Sequence, residues 1–218
     1  MIKPPPALVL EQLSLSYGRR RLWQIEAAQW SAGQLIWLQG ANGAGKTSLM
    51  KVISGLLTPT QGRVRPIHHV AEPQAICYLH QQPYVFSTSV RRNLEQVLSS
   101  RYLQAVPVAE RHQRLEAALA WAQLSEQADQ PARTLSGGER QRLALARARI
   151  LQPRFWLLDE PSANLDQQAV QLLATLIQDV LAAGCGILLT AHQSNAITDL
   201  AQCIWRLDQQ QLSIHPGV

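Results

Sequence analysis

The chain is poor in cysteine, in long apolar runs and in charge, and each shortage excludes something. Its three cysteines, Cys77, Cys185 and Cys203, are odd in number, far apart and set in apolar, strand-like surroundings. That rules out a disulfide framework and a cysteine-based metal centre, and it fits reduced core thiols. No run approaches the roughly eighteen apolar residues of a membrane span, and Met1-Ile-Lys-Pro-Pro-Pro6 lacks the apolar core of a signal peptide. The expectation is a protein that stays in the cytosol. Only 16% of residues are charged, with a formal net charge of +5, and the basic residues form no long block. Arg19 to Arg21 and Arg91-Arg92 are short clusters, and Arg140, Arg142, Arg147 and Arg149 are distributed around a helix. A solvated surface is the first reading of these charges and attraction to an anionic membrane face the second; no nucleic-acid partner is expected. Internal repeats and low-complexity linkers are missing too, and 218 residues bury one good core.

What is present is concentrated in a few short stretches. Gly40-Ala41-Asn42-Gly43-Ala44-Gly45-Lys46-Thr47 fits GxxxxGK[ST] and follows the apolar run Leu35-Ile-Trp-Leu38. A strand, a glycine-rich turn and a helix opening over Lys46 to Ser48 would aim successive backbone N–H groups at phosphate oxygens, and the helix N-terminus adds positive potential. In that geometry Lys46 reaches the β- and γ-phosphates and the Thr47 hydroxyl is placed to ligate Mg²⁺. The pattern Leu49, Val52, Ile53, Leu56 continues the helix.

Phe155-Trp-Leu-Leu158 reads as a parallel strand buried on both faces, delivering Asp159 and Glu160 at its C-terminal edge, where ligands bind in open α/β sheets. Two adjacent carboxylates there suit two tasks: Asp159 in the Mg²⁺ shell, and Glu160 polarising the water that attacks the γ-phosphate. Leu135-Ser136-Gly137-Gly138-Glu139 carries a capping box, serine followed three residues later by glutamate, ahead of a helical stretch from Arg140 to Leu151. The same serine hydroxyl and glycine N–H groups at a positive helix end also make an anion site.

Taken together, the phosphate loop, the glutamine segment His80-Gln81-Gln82, the signature Leu135 to Glu139, the acidic strand end, Ser162-Ala-Asn-Leu-Asp166 and the late His192 resemble the ATP-binding cassette (ABC) family over nearly the whole chain. Glu139 stands where the family most often has glutamine. The resemblance implies several roles. Tyr17 would stack on adenine, where alone it reads as a turn tyrosine before Gly18. Gln81 would reach Mg²⁺ and the attacking water, with Gln82 one residue away as the alternative. His192, on its own a structural hydrogen-bonder at a strand end, would sense the γ-phosphate. Ser136 to Glu139 would close over ATP held by a second subunit. Asp166, which alone reads as a cap on a helix from Gln167 to Leu181, would touch that subunit. One chain holds one cassette, so a homodimer or a related partner cassette follows.

The expected fold is α/β: a P-loop NTPase core with a mainly parallel sheet, an antiparallel β layer and an inserted α-helical subdomain. Residues 1–82 and 154–218 would form the core, and residues 83–153 the helical subdomain that carries the signature. Within that insert Val90, Leu94, Val97 and Leu98 mark one amphipathic helix, and Leu115, Ala118, Leu119 and Ala122 another. The ends, Leu8 to Ala28 and Ile204 to Ile214, read as short strands of the antiparallel layer. The expected function is that of an ATPase subunit energising separate integral membrane permease subunits, peripheral on the inner face of the membrane. The segment His80 to Leu94 looks most like oxyanion importer cassettes, tungstate importers in particular, which would add a periplasmic substrate-binding protein. The alternatives are a cassette of a non-transport membrane complex, of lipoprotein or haem export, or a soluble cassette acting on nucleic acid.

Overall fold

The computed structural model describes residues 5–67, 75–100 and 103–217; the first four residues of the N-terminal segment lie outside that range. In chain order the elements are β1 (Ala7–Tyr17), β2 (Arg20–Ser31), β3 (Leu35–Gln39), α1 (Lys46–Ile53), β4 (Gln61–Ile67) and β5 (Ile76–Leu79). After these come α2 (Val90–Leu98), α3 (Val108–Trp121), α4 (Gly137–Leu151), β6 (Phe155–Leu158), α5 (Gln167–Ala182), β7 (Gly186–Thr190), β8 (Cys203–Asp208) and β9 (Gln211–Pro216).

Strands β3, β6 and β7 are the continuous apolar runs of the sequence, and they are buried almost throughout. They stand at the centre of a six-stranded sheet in the order β5-β6-β7-β3-β8-β9, parallel except for β9. The register Leu79↔Leu158, Leu158↔Leu189 and Leu38↔Thr190 ends β5, β6, β7 and β3 along one edge. Everything that follows those strands therefore emerges side by side: the glycine-rich loop, Gln81, Asp159-Glu160 and His192.

A second, antiparallel sheet in the order β2-β1-β4 packs across one face of the first. Alternation along β1 is broken between Leu10 and Leu13, and the cause is a bulge. Gln12 lies at φ 51, the pairing with β4 shifts register between Glu11 and Ser14, and the phase of the buried side chains slips with it. Gly62 supports the bulge, since a Cβ there would collide with the Gln12 carbonyl.

Two expectations need correcting. Ile204 to Ile214 does not join the antiparallel layer. β8 runs parallel beside β3 in the main sheet, β9 forms its edge, and the third strand of the small sheet is β4. Nor are the N-terminal strands short, since β1 and β2 have 11 and 12 residues.

The main sheet is covered on both faces. Ile36, Leu38, Leu157 and Leu188 meet the small sheet and α1 through Trp23, Trp30, Leu49 and Met50. On the other face Leu35, Trp156, Leu158, Ile187 and Leu189 meet α5 through Leu173, Leu176 and Ile177, and α4 through Leu145 and Ala148. Helices α2, α3 and α4 enclose a cluster of their own, with Val90, Leu94, Leu115, Leu119, Leu143, Ala146 and Ile150 at its centre. α4 thus belongs to two clusters at once. Two sequence positions fall elsewhere than expected: α1 stops at Ile53, leaving Leu56 exposed, and Arg147 is partly buried, with its guanidinium on the Tyr84 carbonyl, rather than fully solvated.

Candidate functional site

The glycine-rich turn is held in a conformation that only glycine tolerates well. Gly45 sits at φ 97 as the residue before α1, and a Cβ there would lie 2.7 Å from Leu22 Cδ2 and 2.8 Å from Trp23 Cδ1. Gly40, at φ 155, comes so close to β8 that a Cβ would stand 2.6 Å from the Leu207 carbonyl oxygen. The loop is therefore clamped from both sides by strands, and its N–H groups and the start of α1 open onto a cavity of about 350 Å³. Tyr17, Asn42, Gly43, Gly45, Lys46, Thr47, Ser48 and Glu160 line this cavity. Tyr17 is 58% exposed at the rim, as an adenine-stacking ring would need to be. Lys46 Nζ donates to the Gly40 and Ala41 carbonyls at 2.7 and 3.2 Å, which folds the ammonium over the loop; Ala44 closes the turn with its N–H on the Ala41 carbonyl.

Residues 112 positions apart meet behind the loop: the Thr47 hydroxyl donates to Asp159 Oδ2 at 2.8 Å. Asp159 is buried, and it also accepts from the Tyr78 phenol on Oδ2 at 2.9 Å and from the Thr190 hydroxyl on Oδ1 at 2.8 Å. Burial and the adjacent carboxylate push the Tyr78 hydroxyl well above its ordinary range, so it stays a donor at any working pH. Neither Tyr78 nor Thr190 stood out in the sequence. Each is one polar residue in an apolar strand, and only the register of neighbouring strands shows that both point at the same carboxylate.

Glu160 begins the loop after β6 with φ 47, a left-handed conformation that costs a non-glycine residue on the order of 1 kcal/mol. Its N–H is fixed by the Thr190 hydroxyl at 2.8 Å. Its carboxylate is held from two sides, by Gln81 Nε2 on Oε2 at 2.6 Å and by His192 Nε2 on Oε1 at 2.9 Å. Of the two adjacent glutamines it is Gln81 that reaches Glu160; Gln82 instead sends its backbone N–H to His80 Nδ1.

Ser136, Gly137, Gly138 and Glu139 form the first turn of α4. Both arms of the capping box are made: Ser136 N–H to Glu139 Oε2 at 2.7 Å, and Glu139 N–H to Ser136 Oγ at 3.3 Å. The backbone N–H and then the hydroxyl of Ser136 hold the Glu139 carboxyl below its usual range. Asp166 caps α5 by accepting from the Ala169 N–H at 2.7 Å. These two helix starts share a cavity of about 620 Å³, lined by Ser136 to Glu139, Arg142, Asn164 and Asp166. No residue is common to this cavity and the one around Lys46. Within one chain the structure brings Tyr17, the loop, Gln81, Asp159, Glu160 and His192 together, and it leaves the signature and Asp166 facing elsewhere.

The oxygen donors Thr47 Oγ1 and Asp159 fit a hard cation such as Mg²⁺. Among the described residues no group of three or more His, Cys, Asp or Glu side chains could hold a metal. A cation here would need phosphate oxygens and water to complete its shell, as Mg²⁺ in nucleotide sites does.

Comparisons with known proteins agree with this geometry. The family model described as ABC transporter matches residues 24–163. The chain is 37% identical over 195 residues to the lipopolysaccharide export system ATP-binding protein LptB of Acidithiobacillus ferridurans, covering 85% of this chain and 79% of that one. It is 33% identical over 193 residues to the cobalt import ATP-binding protein CbiO of Salmonella paratyphi A, covering 83% and 70%. In fold it matches cbiO1 of Clostridium perfringens, part of the ABC transporter complex cbiONQ, with TM-score 0.83 and 23% identity over 96% of this chain and 88% of that one.

Proposed function

The chain belongs to the ABC transporter family of ATP-binding cassettes, and from that membership we propose that it hydrolyses ATP as a dimer to drive a separate membrane permease from the cytoplasmic face. The observation that carries the reading is the meeting of Lys46, Thr47 and Glu160 around one cavity, with Asp159 bonded to Thr47 behind it and the signature turn opening onto a different cavity. A nucleotide seated on the loop of one chain needs its second wall from elsewhere, and a second cassette presenting Ser136, Gly137, Gly138 and Glu139 supplies it. Asp166, in the same cavity as the signature, faces that partner as well.

In this reading the loop N–H groups and Lys46 bind the phosphates, and Tyr17 stacks on the base. Glu160 takes the proton of a water whose oxygen bonds to the γ-phosphorus as the bond to the ADP oxygen breaks. Gln81 and His192 hold the Glu160 carboxylate and the γ-phosphate in line. Thr47 and Asp159 would hold Mg²⁺, which when bound neutralises phosphate charge.

No helix among the described residues is long and apolar enough to cross a membrane; in this reading translocation belongs to separate permease chains. The surface offered to them is a groove of about 270 Å³ between β5 and α4, walled by Cys77, Pro83, Tyr84, Val97 and Arg147. Tyr84 is 69% exposed there. Residues 83–153 serve as the helical subdomain that carries the signature, and residues 1–82 and 154–218 as the nucleotide-binding core. The named relatives include an export and an import cassette. The likeness of His80 to Leu94 to oxyanion importers makes tungstate, delivered by a periplasmic binding protein, the cargo to test first.

The test is phosphate release by the purified chain with Mg²⁺, alongside identification of the polypeptides that copurify from native membranes. Hydrolysis abolished by Lys46→Ala, together with a copurifying integral membrane protein, is the expected result. Phosphate release no greater than that of Lys46→Ala, or the absence of any copurifying membrane protein, would overturn the reading.

A further inference from the structure

Asp159 is buried, yet it accepts three hydroxyl hydrogen bonds, and two of them come from strands outside the phosphate loop. Thr47 lies in the phosphate loop, and Thr190 ends β7. Tyr78 is in the middle of β5, where its partly buried ring packs with Ile76 against the core that supports α1. β5 and β6 are paired with Tyr78 opposite Leu157, and the Asp159 N–H continues the ladder onto the Leu79 carbonyl at 3.0 Å. The ring is therefore fixed on β5, and the carboxylate on the residue that directly follows β6, where the ladder still holds its backbone. Thr47 and Tyr78 both donate to Oδ2, while Thr190 donates to Oδ1. A hydroxyl that gives its proton to a carboxylate turns its lone pairs the other way, and for Thr47 that direction is the cavity.

We infer that Tyr78 is a positioning residue of the metal–nucleotide site: its phenol locks the Asp159 carboxylate in the rotamer that orients the Thr47 oxygen toward the divalent cation accompanying ATP. The inference rests on the ATPase reading. Without the phenol, Oδ2 keeps only the Thr47 hydroxyl and Oδ1 only that of Thr190, so the carboxylate is held less tightly about its side-chain torsion. Outer partners of this kind set how well a metal is held without touching it.

The experiment is an electron paramagnetic resonance titration of Mn²⁺, a Mg²⁺ substitute, into the full chain with a non-hydrolysable ATP analogue, comparing the native protein with Tyr78→Phe. The half-saturating Mn²⁺ concentration should rise about tenfold in the variant. Nucleotide affinity in the presence of a chelator and Tm should stay unchanged, because the ring and its packing are kept. The free-metal requirement for hydrolysis should rise in parallel, with kcat recovered at saturating metal. Equal Mn²⁺ affinity in the two proteins would overturn the inference. So would a matching loss of chelator-resistant nucleotide binding and Tm, which would make Tyr78 a packing residue. A native protein that takes up no Mn²⁺ with the nucleotide would overturn the ATPase reading and the Tyr78 assignment with it.

Discussion

Gln81 and His192 grip opposite oxygens of the Glu160 carboxylate, at 2.6 and 2.9 Å. The carboxylate is thus oriented by an amide from the end of β5 and an imidazole from the end of β7, while its own backbone is fixed by Thr190. Glu160→Gln retains the size of the side chain and can still bond to both neighbours, but it cannot accept a proton. Turnover should fall about 100-fold or more while ATP still binds, and the variant should accumulate as an ATP-bound dimer by size-exclusion chromatography. Near-normal phosphate release from pure protein would remove Glu160 from the catalytic role.

Ser136→Arg separates the two cavities functionally. It removes a cap worth about 1 kcal/mol and fills the anion site with bulk, but it touches nothing around Lys46. Tm should drop by only about 2–4 °C, the first ATP should bind a monomer normally, and ATP-driven dimerisation should be lost. Equal loss of nucleotide affinity in monomer and dimer, measured by titration calorimetry, would place the signature in its own chain's site.

Tyr84 and Phe86 meet edge to face with centroids 5.0 Å apart, and the Arg147 guanidinium lies 5.0 Å over the Phe86 ring while it donates to the Tyr84 carbonyl at 2.7 Å. Tyr84→Ala with Phe86→Ala should leave nucleotide affinity within a few-fold of normal and detach the chain from its membrane partner in a pull-down. The stability loss should be modest, since Tyr84 buries little and a contact like that of Arg147 with Phe86 is worth about 0.5–1 kcal/mol. A large Tm loss without selective loss of the partner would show that the two rings serve the fold.

Burial pushes the Cys77 thiol from 9.0 up to about 11, and the Arg147 guanidinium pulls it only partly back. The neutral thiol is the form that the fold favours. Its contribution to stability is therefore complete below about pH 9 and is lost as pH rises toward 11. At pH 8 the thiolate fraction is about 100-fold below that of a free cysteine. Alkylation followed by peptide mass spectrometry should find Cys77 almost unmodified in the native chain at pH 8 and fully modified in denaturant. Rapid native labelling would contradict the raised thiol pKa.

Much of this was legible before any coordinates. Leu35–Leu38, Phe155–Leu158 and Ile187–Thr190 are apolar on both faces, which only a covered parallel strand requires, and the residues after each of them had to emerge along one edge. The capping box at Ser136 was written in two letters three residues apart. What stayed hidden was non-local. Alternation in Ile204 to Ile214 announces strands, but it does not say which sheet they join. The bulge at Gln12 turns regular burial into a broken pattern, and nothing in the spelling of Arg147 distinguishes a partly buried guanidinium from a solvated one. Tyr78 and Thr190 became visible only when strand register set both hydroxyls on one carboxylate.

α4 has one face in the cluster of the helical insert and another against the main sheet, and it runs from the signature turn at Gly137 to the wall of the groove at Arg147 and beyond. Its 15 residues span roughly 22 Å. In the proposed reading it is a lever with a load at each end. A tilt of about 10° pivoting at Arg147 sweeps the signature turn, roughly 15 Å away, through about 2.6 Å, the difference between a hydroxyl that touches a phosphate and one that does not.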